Sequence, residues 1–78
     1  MPTLRARKPS DVAAMIRSAR EDAGFSQQEL AQRLAFSRDY MIDIEAGRPN
    51  VFVSRLFRVL HELGITVMLS YEASDAQS

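Results

Sequence analysis

Within seven residues the chain gathers Ser37, Arg38, Asp39, Ile42 and Asp43: a hydroxyl, a guanidinium, two carboxylates and a branched apolar side chain. A guanidinium is a planar fork of donors suited to paired acceptors, and carboxylates accept from exocyclic amines. That is a vocabulary of recognition rather than of turnover. The groups that would carry turnover are missing. There is no cysteine, which excludes disulfides, thiol catalysis and cysteine metal sites. The one histidine, His61, has no companion at metal-ligand or triad spacing, and no glycine-rich phosphate loop occurs. No enzymatic role, cofactor or metal is expected.

The recognition cluster needs a scaffold, and the spacing supplies helices. Ser10 stands as an N-cap before Val12, Met15, Ile16, Ala19 and Ala23, which recur at helical spacing until Gly24. Ser26-Gln27-Gln28-Glu29 is a capping box, with Phe25 and Leu30 placed as a hydrophobic staple. The second helix then runs through Leu34 and breaks at Ala35-Phe36. Ser37 caps a third helix, Arg38 through Ala46, whose Met41 and Ile44 point inward; Gly47 and Pro49 end it. A fourth helix covers about Phe52 to Leu63, starting uncertainly, with Asn50 or Ser54 as possible caps. Its apolar set is broader than one core-facing stripe, which implies burial on two sides. From Ile65 the period becomes two: Ile65, Val67, Leu69 and Tyr71 alternate with Thr66, Met68 and Ser70 as in a strand.

The division expected is a basic arm at 1–9, a helical domain at 10–64, a strand at 65–72 and a frayed tail at 73–78. With 78 residues, 46% hydrophobic and 26% charged, the chain reads as one small globular domain. So small a core is marginal, and oligomerisation is a common remedy. A lone strand has nothing in this chain to pair with, so pairing with the same strand of a second copy is the simplest outcome. No apolar run nears the roughly 18 residues of a membrane helix, and the N-terminal residues lack the apolar core of a signal peptide. No membrane association is expected, and a cytoplasmic location is.

Ten Lys and Arg balance ten Asp and Glu, which argues at first against a polyanionic partner. The charges are not evenly spread. Every basic residue lies between Arg5 and Arg58, a stretch carrying +3, while His61 onward carries −3.

Two short serine-capped helices joined by a tight turn outline a helix-turn-helix. The string Ile16-Arg17-Ser18-Ala19-Arg20-Glu21-Asp22-Ala23-Gly24-Phe25-Ser26-Gln27-Gln28-Glu29-Leu30-Ala31 resembles the Cro/C1-type (XRE) DNA-binding family. So do Phe36-Ser37-Arg38 and Ile44-Glu45-Ala46-Gly47-Arg48, and the likeness covers roughly residues 12–64. The appended strand narrows it to HipB-like antitoxin repressors, whose C-terminal strands pair across a dimer axis. The resemblance implies a mainly α, four- to five-helix lambda-repressor-like domain with a C-terminal β-strand pairing across a homodimer. It implies a sequence-specific repressor of a pseudo-palindromic double-stranded DNA operator, autoregulating a toxin–antitoxin operon. A HipA-like kinase is the toxin partner so implied. A stand-alone regulator, or a module chiefly neutralising a toxin, are the alternatives.

In such a domain the third helix enters the major groove, its N-terminal residues toward the base edges. Ser37, Arg38, Asp39, Ile42 and Asp43 form that face. Arg38 matches the O6 and N7 acceptors of guanine; Asp39 and Asp43 match cytosine N4, or hold Arg38 in its rotamer. Ile42 departs from the small polar residue usual in the family, and suits either a thymine methyl or packing against a neighbour. The resemblance implies phosphate contacts at Gln27, Arg48 and Asn50, whose alternative is ordinary solvation. Tyr40 stands between a phosphate contact and packing. Arg20 and Glu45 match positions that pair structurally in the family. Phe57, Leu60, Ile65, Val67, Leu69 and Tyr71 are the expected dimer contacts.

Overall fold

The structure is a computed structural model that describes residues 3–49 and 51–72. Among them are four helices, α1 (Pro9–Asp22), α2 (Gln27–Leu34), α3 (Arg38–Glu45) and α4 (Val53–Glu62). The core is one cluster drawn from all four: Ile16, Leu30, Ala31, Leu34, Met41, Ile44, Val59 and Leu60. Val12, Phe25, Phe36, Tyr40, Leu56 and Ile65 pack around it. α3 lies against both α1 and α2, so two helices fix its orientation.

α1 begins two residues earlier than Ser10 would place it. Lys8 is the N-cap and Pro9 the first helical residue, where a missing N–H costs nothing. Asp11 does the capping work: its Oδ2 accepts from the backbone N–H groups of Arg7 (2.8 Å) and Lys8 (3.2 Å). A carboxylate in the first turn serves two orphan donors and complements the helix dipole, so no serine cap is needed.

α2 starts as its capping box dictates. Ser26 Oγ accepts from the Glu29 N–H at 3.0 Å, and Glu29 Oε1 accepts from the Ser26 N–H at 2.8 Å. The second bond, with the hydroxyl contact behind it, holds the Glu29 carboxyl below its ordinary value. The turn to α3 is made by Ala35 in left-handed conformation, φ 60° and ψ 36°. Its N–H and that of Phe36 (2.8 Å to Ala31 O) return to the last turn of α2. Ser37 Oγ then caps α3 by accepting from the Tyr40 N–H at 3.1 Å.

α4 has no side-chain cap: Phe52 occupies the N-cap position and Ser54 does not serve it. The Phe52 N–H instead donates to Tyr40 Oη at 3.0 Å, so α3 satisfies the start of α4. Asn50, the other expected cap, lies outside the described residues, as does the 73–78 tail. Arg33 and Glu62 pair between α2 and α4.

The expected strand is not formed within the chain; residues 65–72 carry no ladder. Ile65 still touches the core, but Met68, Leu69 and Tyr71 are each about nine-tenths exposed, so neither parity of the alternation is buried. A strand exists only against a partner, and this domain presents no edge to it. Leu60, expected at a subunit contact, is 5% exposed and belongs to the domain's own core. The excess apolar surface of α4 falls instead on Phe52, Val53 and Phe57, all at least half exposed.

One buried ion pair ties these helices together. Arg20 Nε donates to Glu45 Oε2 at 2.6 Å and Nη2 to Oε1 at 3.1 Å, while Nη1 donates to Phe25 O at 2.7 Å. The two side chains are 9% and 4% exposed. The bond to Glu45 raises the Arg20 pKa against the opposing effect of burial. Removing one partner leaves a desolvated charge, so Arg20→Met should cost about 3 kcal/mol in urea unfolding. Pairing it with Glu45→Leu should recover part of that loss; a double variant as unstable as the sum of both singles would contradict the account. Ala35→Gly relieves a left-handed alanine and should stabilise the domain by about 1 kcal/mol in the same measurement.

Candidate nucleic-acid interface

The face of α3 follows from which side is buried. Met41 and Ile44 are 0% and 3% exposed. At about 100° per residue, the opposite side is centred on Asp39, Ile42 and Asp43. Asp39 and Ile42 are exposed and Asp43 is half-buried. Ile42 is 36% exposed and absent from the core cluster, which removes packing inside the domain as its explanation. Arg38 and Tyr40 lie on opposite flanks of this face, about 200° apart around the axis.

Arg38 is exposed and, among the described residues, pairs with no carboxylate. Neither Asp39 nor Asp43 holds it. Asp43 Oδ1 lies 3.9 Å from Arg48 Nε, across an exposed pair of little net energy. Arg48 thereby draws the Asp43 charge toward the end of α3, away from the capped start that Arg38 occupies. Ser37 Oγ is committed as an acceptor to the Tyr40 N–H, which leaves its own proton to donate.

On the Arg38 flank an open cleft is lined by Arg17, Arg20, Ser26, Gln27, Gln28 and Arg38. It sits over the N-terminus of α2, where backbone N–H groups and the dipole favour an anion. Gln27 stands in it with one amide proton fixed: Nε2 donates to Glu45 Oε1 at 3.1 Å. The second amide proton is left for a ligand, and the first sets the direction in which it points. Arg20 and Glu45, expected as structural, are so placed, and they orient Gln27 as well.

The opposite flank holds Tyr40. Its ring packs edge-on against Phe36 at 5.4 Å, and its oxygen receives the Phe52 N–H. Packing is therefore established for Tyr40, with the hydroxyl proton unspent.

Gly47 makes the turn after α3 at φ 70°. A Cβ there would stand 3.4 Å from the Ser10 backbone. This close approach brings the start of α1, and the basic arm Arg5, Arg7 and Lys8 before it, beside the loop bearing Arg48.

Comparison with known proteins gives this geometry a family. A helix-turn-helix domain model matches residues 11–66. The chain belongs to the helix-turn-helix family. It is 30% identical over 63 residues to the HTH-type transcriptional regulator y4mF of Sinorhizobium fredii, covering 81% of this chain and 83% of that protein. Among solved structures, a chain of a HipA–HipB–O2–O3 complex superposes with a TM-score of 0.78 at 20% identity. A HipB–O4 20mer complex gives the same values; each comparison covers 91% of this chain and all of the other. The helix-turn-helix itself is α2, the Ala35–Ser37 turn and α3.

Arg17, Gln28, Arg55 and Arg58 line the two flanks of α3, and sequence reasoning did not single them out. The signal was available for two of them. Arg55 and Arg58 are three apart on one helix, which places both on the same side of an otherwise apolar stretch.

The exposure of Ile42 sets a direct test. Ile42→Ser should leave the unfolding free energy within about 0.5 kcal/mol of the parent, as surface changes do. It should alter the site selected from a random duplex library by weakening preference for thymine at one position per half-site. An unchanged selected site would remove Ile42 from base reading.

Proposed function

We propose that this chain is a homodimeric, sequence-specific DNA-binding repressor acting on its own operon. The observation that carries the reading is the mounting of α3. A helix pinned on its inner side presents an exposed acceptor- and donor-bearing face with Arg38 at its capped end. An α-helix of this kind fits the major groove of B-DNA. Arg38 reads guanine O6 and N7; Asp39 and Asp43 accept from cytosine N4; Ile42 meets a thymine methyl; Ser37 donates at the helix start. Gln27, oriented by Glu45, contacts a phosphate on one side, with Arg48 and Asn50 as further phosphate contacts beyond α3. The family assignment and the likeness to the HipB–O4 20mer complex support this reading.

A second copy completes the site. Phe57, Val67, Leu69 and Tyr71 are exposed apolar groups with no partner in the described chain. Pairing of residues 65–72 with the same segment of another subunit supplies the ladder they lack. Ile65 continues from the core into that contact. The two recognition helices then read half-sites about one helical turn apart. The likeness to a chain of a complex that also contains HipA supports an antitoxin role with a HipA-like partner.

Nuclease footprinting on the DNA upstream of the gene should reveal a protected inverted repeat, and light scattering should give a dimer. Truncation after Gly64 should yield monomers and reduce operator affinity by at least tenfold. Absence of any protected repeat would overturn the repressor reading, and a monomeric full chain would overturn the strand pairing.

A further inference from the structure

Three of the six helical arginines differ from the other three in where their charge goes, and the contrast points to a second anion site. Arg17 pairs with Glu21, Arg20 with Glu45 and Arg33 with Glu62. Among the described residues Arg38, Arg55 and Arg58 pair with no carboxylate, and all three flank the start of α3. Arg38 belongs to the cleft already described. Arg55 and Arg58 line another, on the far side of α3, together with Ala35, Phe36, Ser37 and Tyr40. Among the described residues no carboxylate lines it.

The two guanidiniums are positioned rather than loose. Arg55 lies over both the Tyr40 and Phe52 rings at 5.2 Å, and Arg58 lies over Phe36 at 5.0 Å. Arg58 also donates through Nη2 to Leu34 O at 2.9 Å, capping the end of α2. Stacking on an aromatic face fixes the plane of a guanidinium while leaving its edge donors available. The Tyr40 hydroxyl, whose oxygen is occupied by the Phe52 N–H, adds a donor aimed by that bond.

We propose that Arg55, Arg58 and the Tyr40 hydroxyl form a DNA-phosphate site on the flank of α3 opposite Gln27. The inference rests on the DNA-binding reading above. A helix in the major groove has a phosphate backbone on either side, and Arg38 and Tyr40 point to the two sides. The Gln27 cleft holds one strand. The arginine pair on α4 holds the other, so α3 is clamped across the groove by cations on both flanks. Arg55 is the contact with no other duty; Arg58 divides itself between the phosphate and the α2 carbonyl.

The test uses the full chain and the upstream operator duplex, measuring affinity by fluorescence anisotropy from low to moderate salt. Each neutralised phosphate contributes about 0.9 to the slope of log K against log salt. Arg55→Met keeps the apolar stem over the rings and removes the charge. It should lower the slope by about one unit per protomer and weaken operator and unrelated DNA by similar factors. Arg55→Lys should restore most of the slope. Thermal unfolding and light scattering should show parent-like stability and dimerisation for both variants. An unchanged slope with Arg55→Met, while the parent binds its operator, would overturn this site alone. A parent chain that binds no duplex would overturn the repressor reading and this site with it.

Discussion

The buried pair between Arg20 and Glu45 is the constraint on which the DNA-facing architecture turns. Two charges at 9% and 4% exposure are costly to desolvate, and their geometry offsets that cost only while every donor and acceptor is engaged. The fork of Arg20 reaches Glu45 with two nitrogens and Phe25 O with the third, so one side chain of α1 fixes α3 and the loop entering α2. Glu45 still has capacity to accept from Gln27, and so the same lock aims a side chain toward the ligand side. A hydrophobic contact would hold α3 against the core without fixing its rotation or the amide of Gln27. The pair therefore links stability to the precision of the reading face.

Electrostatics across the site follow from that arrangement. The centre of the α3 face is acidic, with Asp39 and Asp43, which is a poor design for attracting DNA in general. The unpaired arginines stand at its flanks instead. In the proposed complex, carboxylates between two cationic edges would make binding conditional: a duplex would have to satisfy them with amine donors before the flanking contacts outweighed the repulsion. Zero net charge fits the same logic, because weak nonspecific attraction leaves discrimination to the bases.

The helices were legible where a residue type has one local job. The Ser26–Glu29 box, the Ser37 cap, the break at Ala35 and the inward Met41 and Ile44 all follow from spacing. Where another side chain takes over a local job, the sequence misleads. Asp11 serves the start of α1 in place of Ser10, and Tyr40, twelve residues away, receives the Phe52 N–H that a cap would otherwise satisfy. The breadth of the α4 apolar set was visible, but which of Phe57 and Leu60 faces inward depends on how α4 packs. Leu60 goes to the core. Arg55 and Arg58 were visible as a spaced pair, but their meaning lies in the rings of Phe36, Phe52 and Tyr40, brought close only by the fold.

The segment after Gly64 differs from all of these, because its alternation is clear and yet a single chain cannot express it. Helices close their hydrogen bonds internally, so one copy suffices to show them. A strand's bonds run to a neighbour, and Met68, Leu69 and Tyr71 remain at about nine-tenths exposure without one. Apolar residues left in water on both parities are an unfinished surface rather than a folded one. A similar incompleteness holds for α3, which spans only eight residues and could reach few base pairs. The proposed second subunit would answer both at once, supplying the ladder for residues 65–72 and a second reading helix for the duplex.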